Sequence, residues 1–285
     1  MVLVKNKISI VIPVYNEGDH LTACLQAIAA QTVAPYEVIV VDNNSSDNSV
    51  EIAKQFNFVK IIKEKRQGVV YARGRGFDTA RGEIIGRIDA DTIIDSNWVA
   101  MLQRIFKNSN VDALSGAVTY HDLPWRRTVG RVDLNFRQWI ANGMGSEVFL
   151  YGSNMALRRE AWQEVRNEVC LQGGMHEDFD LAIHLAASGA QVKFNRHLTA
   201  AVSIRRLNIN FTDFLQYAWL NPKTYRLHGR RAQKRMYPVV GLVTAGYFLI
   251  RSLYRSYDPA TETISIANMW NERGTDRVNP ATFVD

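Results

Sequence analysis

Two cysteines, Cys24 and Cys170, are too few for a disulfide framework or an all-thiolate zinc site. Cys24 falls with Leu21, Leu25 and Ile28 on what reads as the apolar face of a helix, so a packed thiol is expected and a reducing compartment fits. The opening stretch MVLVKNK lacks the basic segment, apolar core and small-residue cleavage site of a signal peptide, and none is expected. Familiar phosphate-binding loops are missing as well. No Gly-rich loop closes on Lys-Ser or Lys-Thr, and Gly74-Arg75-Gly76 has no strand-turn context. His176 has no second histidine at zinc-protease spacing. Nor is the composition extreme: 47% hydrophobic and 22% charged residues exclude intrinsic disorder and collagen-like order. What is present is 285 residues, enough for one large domain or two small ones with a substantial core. A net charge of +6 points to an anionic partner, whether phosphorylated small molecule, anionic lipid or nucleic acid.

The first 120 residues alternate strand and helix patterns. β-Branched runs at Ile8–Val14, Glu37–Val41, Val59–Ile62 and Glu83–Ile88 predict strands. Helical periods follow at Leu21–Ile28, Val50–Phe56 and Val69–Ala80. Such alternation implies an α/β fold with a mainly parallel central sheet and helices on both faces. Ligands of such sheets sit beyond the carboxyl ends of the strands. Three predicted strands end there on polar or acidic residues: Tyr15 to Glu17, Asp42, and Asp89 with Asp91. Without a glycine cradle, Asp89-Ala90-Asp91 offers another way to hold a diphosphate, because carboxylate oxygens suit a hard divalent cation such as Mn²⁺ or Mg²⁺.

The middle of the chain is less regular. Asp112–Tyr120 reads as a strand, and 123–150 carries aromatics, Arg126, Arg127 and two glycines near its end. Tyr151–Leu157 predicts a strand leading into a helix over 158–168. Gly173-Gly174-Met175-His176 leads flexibly to Glu177-Asp178, with Phe179–Ser188 helical and Gly189 as its stop.

Val11-Ile12-Pro13-Val14-Tyr15-Asn16-Glu17, Val40-Val41-Asp42 with its Asn/Ser tract, and Gly68 with Ala72-Arg73-Gly74 resemble the family 2 glycosyltransferases. So do Asp89-Ala90-Asp91 and Glu177-Asp178 with Leu181 and Gly189, the whole spanning about residues 8 to 206. The resemblance implies a GT-A fold and inverting transfer of a sugar from a nucleotide-diphosphate donor, a UDP-sugar being favoured, in cell-envelope polysaccharide assembly. It assigns Pro13, Tyr15, Glu17 and Asp42 to base and ribose, and Arg73 to the neighbourhood of the nucleotide. Asp89, Ala90 and Asp91 would hold ribose and metal, and Asp178 would be the catalytic base. Two departures stand out: Asn43-Asn44 where Asp-Gly is usual, and Gly74 where Asn is usual. Glu177 is expected to orient acceptor or sugar. Arg205 and Arg206 could reach the diphosphate as bidentate donors, and His197 or His228 are candidates to complete the metal shell. Alternatives are a catalytically silent nucleotide-sugar-binding protein, or a nucleotidyl-type transferase on a related fold.

Three segments are expected: a catalytic domain over 1–206, a basic and apolar helical segment over 207–255, and a polar tail over 256–285. Between Lys223 and Arg235 stand six Lys or Arg and no acid, followed by the apolar run Met236–Ile250. That run is short of the ~20 residues a spanning helix needs. Basic then apolar order, with tyrosines at the edges, suits an interfacial segment on an anionic membrane, or else a helix packed on the catalytic domain. A cytoplasmic enzyme, peripheral on the inner face of the membrane and acting on a saccharide or lipid-linked acceptor, is the resulting expectation. No stacking motif or recognised module accompanies the charge, so nucleic acid is not expected as a partner.

Overall fold

In the computed structural model, which describes residues 6–108, 110–144, 149–171, 173–259 and 261–270, the apolar runs become strands buried on both sides. Most of the opening MVLVKNK, Gly145 of the 123–150 stretch and the tail from residue 271 lie outside the described residues. β1 (Ile8–Val14) sends Ile8, Ile10, Ile12 and Val14 into one core and Val11 into the other. That is the period-two alternation of a strand covered on both faces. α1 (Gly18–Ala29) buries Leu21, Cys24, Leu25 and Ile28, so Cys24 is indeed a packed thiol, with no exposure. β2 (Glu37–Asp42), α2 (Ser49–Lys54), β3 (Val59–Lys63), α3 (Val69–Thr79) and β4 (Ile84–Arg87) complete the parallel half.

Pairing is parallel from β3 to β2 to β1 to β4, with Val14 beside Asp42 and Val11 beside Arg87. The carboxyl ends of three adjacent strands therefore meet at one edge. After β5 (Ile93–Ile94), α4 (Trp98–Asn108), β6 (Ala113–Tyr120) and α5 (Arg126–Met144), the antiparallel β7 (Met155–Arg158) inserts between β4 and β6. α6 (Arg159–Val165), α7 (Glu177–Ala187) and β8 (Val192–Val202) follow, giving an eight-stranded order β3-β2-β1-β4-β7-β6-β8-β5.

The structure differs from the sequence reading in the middle of the chain. The stretch 123–150 contains the 19-residue helix α5, whose apolar residues are split between a buried side and an outer side bearing Val132 and Trp139. The strand expected over Tyr151–Leu157 starts only at Met155, because Gly152–Asn154 forms a turn of 3₁₀ helix. Asn154 fixes that turn: its Nδ2 donates to Ala117 O and Leu198 O, and its Oδ1 accepts from Trp98 Nε1. The following helix closes at Val165.

Beyond β8 come α8 (Phe211–Leu227), α9 (Gln233–Ser256) and a small ribbon of β9 (Tyr257–Asp258) with β10 (Thr263–Ile264). The apolar run Met236–Ile250 is only the middle of α9. At 24 residues this helix is long and apolar enough to cross a membrane by length and composition, a length its polar end turns concealed. Met236 and Val239 join Tyr225 of α8 and Phe179 and Ile183 of α7 in one core, while Tyr247 packs on Leu207 and Phe214. Its other face is open, with Phe248 60% and Leu249 68% exposed.

Gly86 on β4 makes room for the Trp98 ring, since a Cβ there would lie 2.4 Å from its Cη2. Gly86→Val is expected to destabilise the fold by about 1–3 kcal/mol through overpacking, read as a lower thermal midpoint. An unchanged midpoint would mean that Trp98 can move aside.

Candidate active site

At the shared carboxyl edge a cleft of about 1000 Å³, counted out to solvent, opens between the ends of β1, β2 and β4 and the start of α7. Pro13, Tyr15 and Glu17 line it at and just past the end of β1, Asn43 after β2, Gln67 to Val69 at the start of α3, and Asp89 and Ala90 after β4. The facing wall is Tyr151 to Ser153, His176 to Asp178, Arg206 and Tyr217.

Arg87, the last residue of β4, joins the two walls. Its Nη2 lies 3.0 Å from Asp89 Oδ1 and 3.8 Å from Glu177 Oε1, and its Nη1 donates to Asp178 Oδ2 at 3.0 Å and Oδ1 at 3.2 Å. Arg87 is 3% exposed. It passes over Gly152, where a Cβ would fall 0.6 Å from Nη1, and Gly152 N donates to Asp178 Oδ2 at 2.7 Å. Glycine is needed there for close approach rather than for its backbone angles. Arg73, fully buried on α3, stands behind: Nη1 donates to Glu177 O and lies 3.7 Å from Asp178 Oδ1.

These contacts divide the acidic pair electrostatically. Burial, joined by the charge of Glu177, pushes the Asp178 carboxyl above its ordinary range against the pull of Arg87, His176 and Arg73. Burial would raise Glu177 too, but His176, Arg87 and Arg73 together hold it below.

The remaining expected residues occupy several layers. Pro13, Tyr15, Glu17, Asp89, Ala90, Arg206, Glu177 and Asp178 line the cleft. Asp42 is buried one step back, its Oδ1 accepting from Ser45 N to close the turn after β2. Asp91 is also buried, its Oδ2 accepting from Arg205 Nε at 3.1 Å, while Arg205 Nη2 donates to Glu17 Oε1 at 2.6 Å. Arg205 therefore clasps the ends of β1 and β4 from outside the cleft. Arg206 lies in it, stacked 3.8 Å over the Tyr217 ring, whose hydroxyl is 3.0 Å from His176 Nε2. His197 is exposed, and His228 lies 2.8 Å from Asp180, so neither accompanies Asp89 and Asp91.

Sequence reasoning passed over Arg87 and Gly152 and saw Asn43 only as a departure. The Asn43 amide does what a carboxylate cannot. Nδ2 donates to Glu64 O and Arg66 O, and Oδ1 accepts from Gly68 N. Gly68, at φ +135°, then starts α3.

The profile of Glycosyl transferase family 2 matches residues 9–166, more than half of the chain. The chain belongs to that family. Glycosyltransferase AglE of Haloferax volcanii is 35% identical over 120 residues, 40% of either protein. Uncharacterized glycosyltransferase YibD of Escherichia coli K12 is 28% identical over 185 residues, 60% of this chain and 53% of that one. The matches thus span about half or less of these family 2 relatives' own length. Mannosyltransferase PcManGT from Pyrobaculum calidifontis, solved with GDP-Man and Mn²⁺, superposes with a TM-score of 0.66 at 16% identity, covering 93% of this chain and 78% of that one. S. aureus TarS 1-349 with UDP-GlcNAc gives 0.56 at 15% identity, covering 75% and 65%. At such identities the likeness is one of fold, and the family 2 chain has the GT-A fold. The profile match ends before α7, so the acidic pair at the helix start is defined by geometry alone.

Asn43→Asp would set a carboxylate against two carbonyl oxygens, an expected loss of about 1–3 kcal/mol from unpaired buried groups. Chemical denaturation should show that loss and amide exchange should speed up at Gly68. Unchanged stability and protection would mean that the amide does not hold the loop.

Proposed function

We propose that the chain transfers a sugar, with inversion, from a nucleotide-diphosphate donor to a hydroxyl of a glycan or lipid-linked acceptor, with Asp178 as base. One observation carries this reading: a single guanidinium, Arg87, spans Asp89 on the donor side and Asp178 on the opposite wall. An inverting displacement needs charge relief for the leaving diphosphate on one side and a proton acceptor on the other. Asp178 Oδ2 is held by Arg87 and Gly152 N, so the carboxylate is oriented, and Oδ1 takes the longer bond from Arg87 with the Arg73 guanidinium 3.7 Å away. In this reading Oδ1 receives the acceptor proton. Glu177 orients the acceptor, and Arg206 meets the diphosphate as a cleft-lining cation. Base and ribose rest against Pro13, Tyr15 and Glu17, with Asp42 and Arg73 shaping that wall from behind.

Asp89, which lines the cleft, and Asp91, buried just behind it, are the residues that would hold a divalent cation, Mn²⁺ or Mg²⁺, since carboxylate oxygens suit a hard ion. Asp91 would share its carboxylate between that ion and Arg205. Such an ion supplies neutralisation of charge on the departing diphosphate. The Mn²⁺ of the PcManGT complex supports this assignment, and the GDP- and UDP-sugars of the two fold neighbours support a nucleotide-sugar donor, UDP-sugar being our first choice.

The acceptor reading rests on α8 and α9. Buried residues from Met236 to Tyr254 dock α9 along its length, so it lies against the body, with Leu242, Phe248 and Leu249 facing outward. Beside them Trp219 and Tyr237 pair at 5.8 Å over a groove that also holds Lys223 and Arg226. Apolar side chains bordered by aromatics and cations match an interfacial surface on anionic lipid. We infer a peripheral enzyme on the cytoplasmic face of a membrane.

Asp178→Asn should keep nucleotide-sugar affinity by calorimetry while turnover falls by about 10²–10⁴; retained turnover would sink the assignment. Leu242→Glu with Leu249→Glu should cut sedimentation with phosphatidylglycerol vesicles at least tenfold, since burying one leucine contributes about 1.5–3 kcal/mol. Equal sedimentation of the variant would remove the membrane reading and leave the transfer chemistry intact.

A further inference from the structure

α7 has a second chemical face. Asp180 follows Asp178 by two residues, about 200° around the helix, and so points away from the cleft. There it meets Cys170, His184 and His228, and the donor atoms of all four lie within 4.8 Å of one another. His228 Nε2 is 2.8 Å from Asp180 Oδ1, and Cys170 Sγ is 4.0 Å from His228 Nε2. His184 Nε2 lies 3.4 Å from the same Asp180 oxygen, yet it is a buried nitrogen with no hydrogen-bond partner among the described residues. The two imidazoles are set edge to face, 5.0 Å between centroids at 87°, converging on one point rather than stacking.

We propose that Cys170, Asp180, His184 and His228 form a structural zinc site. One thiolate, one carboxylate and two neutral imidazoles balance the charge of Zn²⁺ and supply its usual tetrahedral N, O and S donors. Zinc bonds of ~2.0–2.3 Å space tetrahedral donors by roughly 3.3–3.8 Å. Closing the shell from the present spacing therefore takes side-chain movements of about 1 Å, within rotamer adjustment. The surroundings suit it. His184 Nδ1 is 3.7 Å from Glu168 Oε2, the outer carboxylate that commonly orients a ligating histidine. Cys170 N donates to Asp180 Oδ2, fixing the loop end against the helix. The site draws together the segment after α6, the outer side of α7 and the C-terminal cap of α8, three pieces far apart in sequence. It is distinct from the Asp89 and Asp91 pair in place and in donor chemistry, sulfur and nitrogen against oxygen only.

The test uses the full chain loaded with Zn²⁺ or Co²⁺ alone. The purified wild type should retain about one zinc per chain, and Co²⁺ should give a tetrahedral ligand-field spectrum with a thiolate-to-cobalt charge-transfer band. Cys170→Ser should lose that band, and Asp89→Asn with Asp91→Asn should keep it, separating this site from the donor cleft. A chelator should lower the melting temperature of the wild type and not that of His228→Ala. If either ligand variant does not fold, the wild-type spectrum and zinc content still decide. A folded wild type without the charge-transfer band, or a band that persists in Cys170→Ser, would overturn the proposal.

Discussion

A guanidinium buried between carboxylates from two different parts of the chain organises this molecule. Arg87 leaves the end of β4, crosses Gly152 and reaches Asp89, Glu177 and Asp178. Burying such a cation unpaired would cost several kcal/mol, so its position requires the acidic start of α7 to be brought to the sheet edge. The other special features follow from that demand. Residue 152 must lack a side chain, Asn154 must pin the turn that holds it, and Gly86 must let the Trp98 ring lie under the strand. Arg73 and Arg87 face three carboxylates, which leaves the group with an excess of negative charge. An incoming diphosphate would meet that excess, and on the proposed reading a divalent cation at Asp89 and Asp91 removes the conflict.

The parallel half of the fold was legible because strands buried on both faces leave nearly unbroken apolar runs, and their ends must turn polar where the backbone reaches solvent. Depth was not legible. Asp42, Asp91 and Arg205 sit beside the correct sequence landmarks, but short-range hydrogen bonds turn them into the scaffold behind the wall. Sequence spacing gives the edge on which a residue falls, not the layer. Arg87 shows the reverse failure: within a four-residue strand a single arginine reads as a polar position, and only a partner 91 residues away gives it meaning. α5 was missed because its apolar residues serve a core on one side and an exposed surface on the other, blurring the period that marks a helix.

The C-terminal helices belong to the same packing as the acidic helix. Phe179 and Ile183 of α7 share a core with Tyr225 of α8 and Met236 and Val239 of α9. The orientation of Asp178 therefore depends on residues well past the end of β8. His176 adds a polar link on the same side, its backbone N donating to Thr224 Oγ1 and its ring meeting Tyr217. A clamp at Asp180, His184 and His228 would act on these same two helices from the opposite face.

That arrangement bears on how a membrane-held acceptor would reach the cleft. Tyr217 of α8 lines the cleft and carries the Arg206 stack, while Trp219, two residues on, is exposed beside Tyr237. Two helical residues rise only about 3 Å but turn about 200°. The width of α8, about half a turn, therefore separates the catalytic space from the surface proposed to meet lipid. An acceptor whose hydroxyl enters along α8 could keep its apolar part at that surface while the hydroxyl approaches Asp178. A lipid-linked acceptor, as proposed, would find in the exposed leucines of α9 an apolar surface close to the base. On the proposed reading, the short distance across α8 joins the apolar face and the buried acid in one functional design.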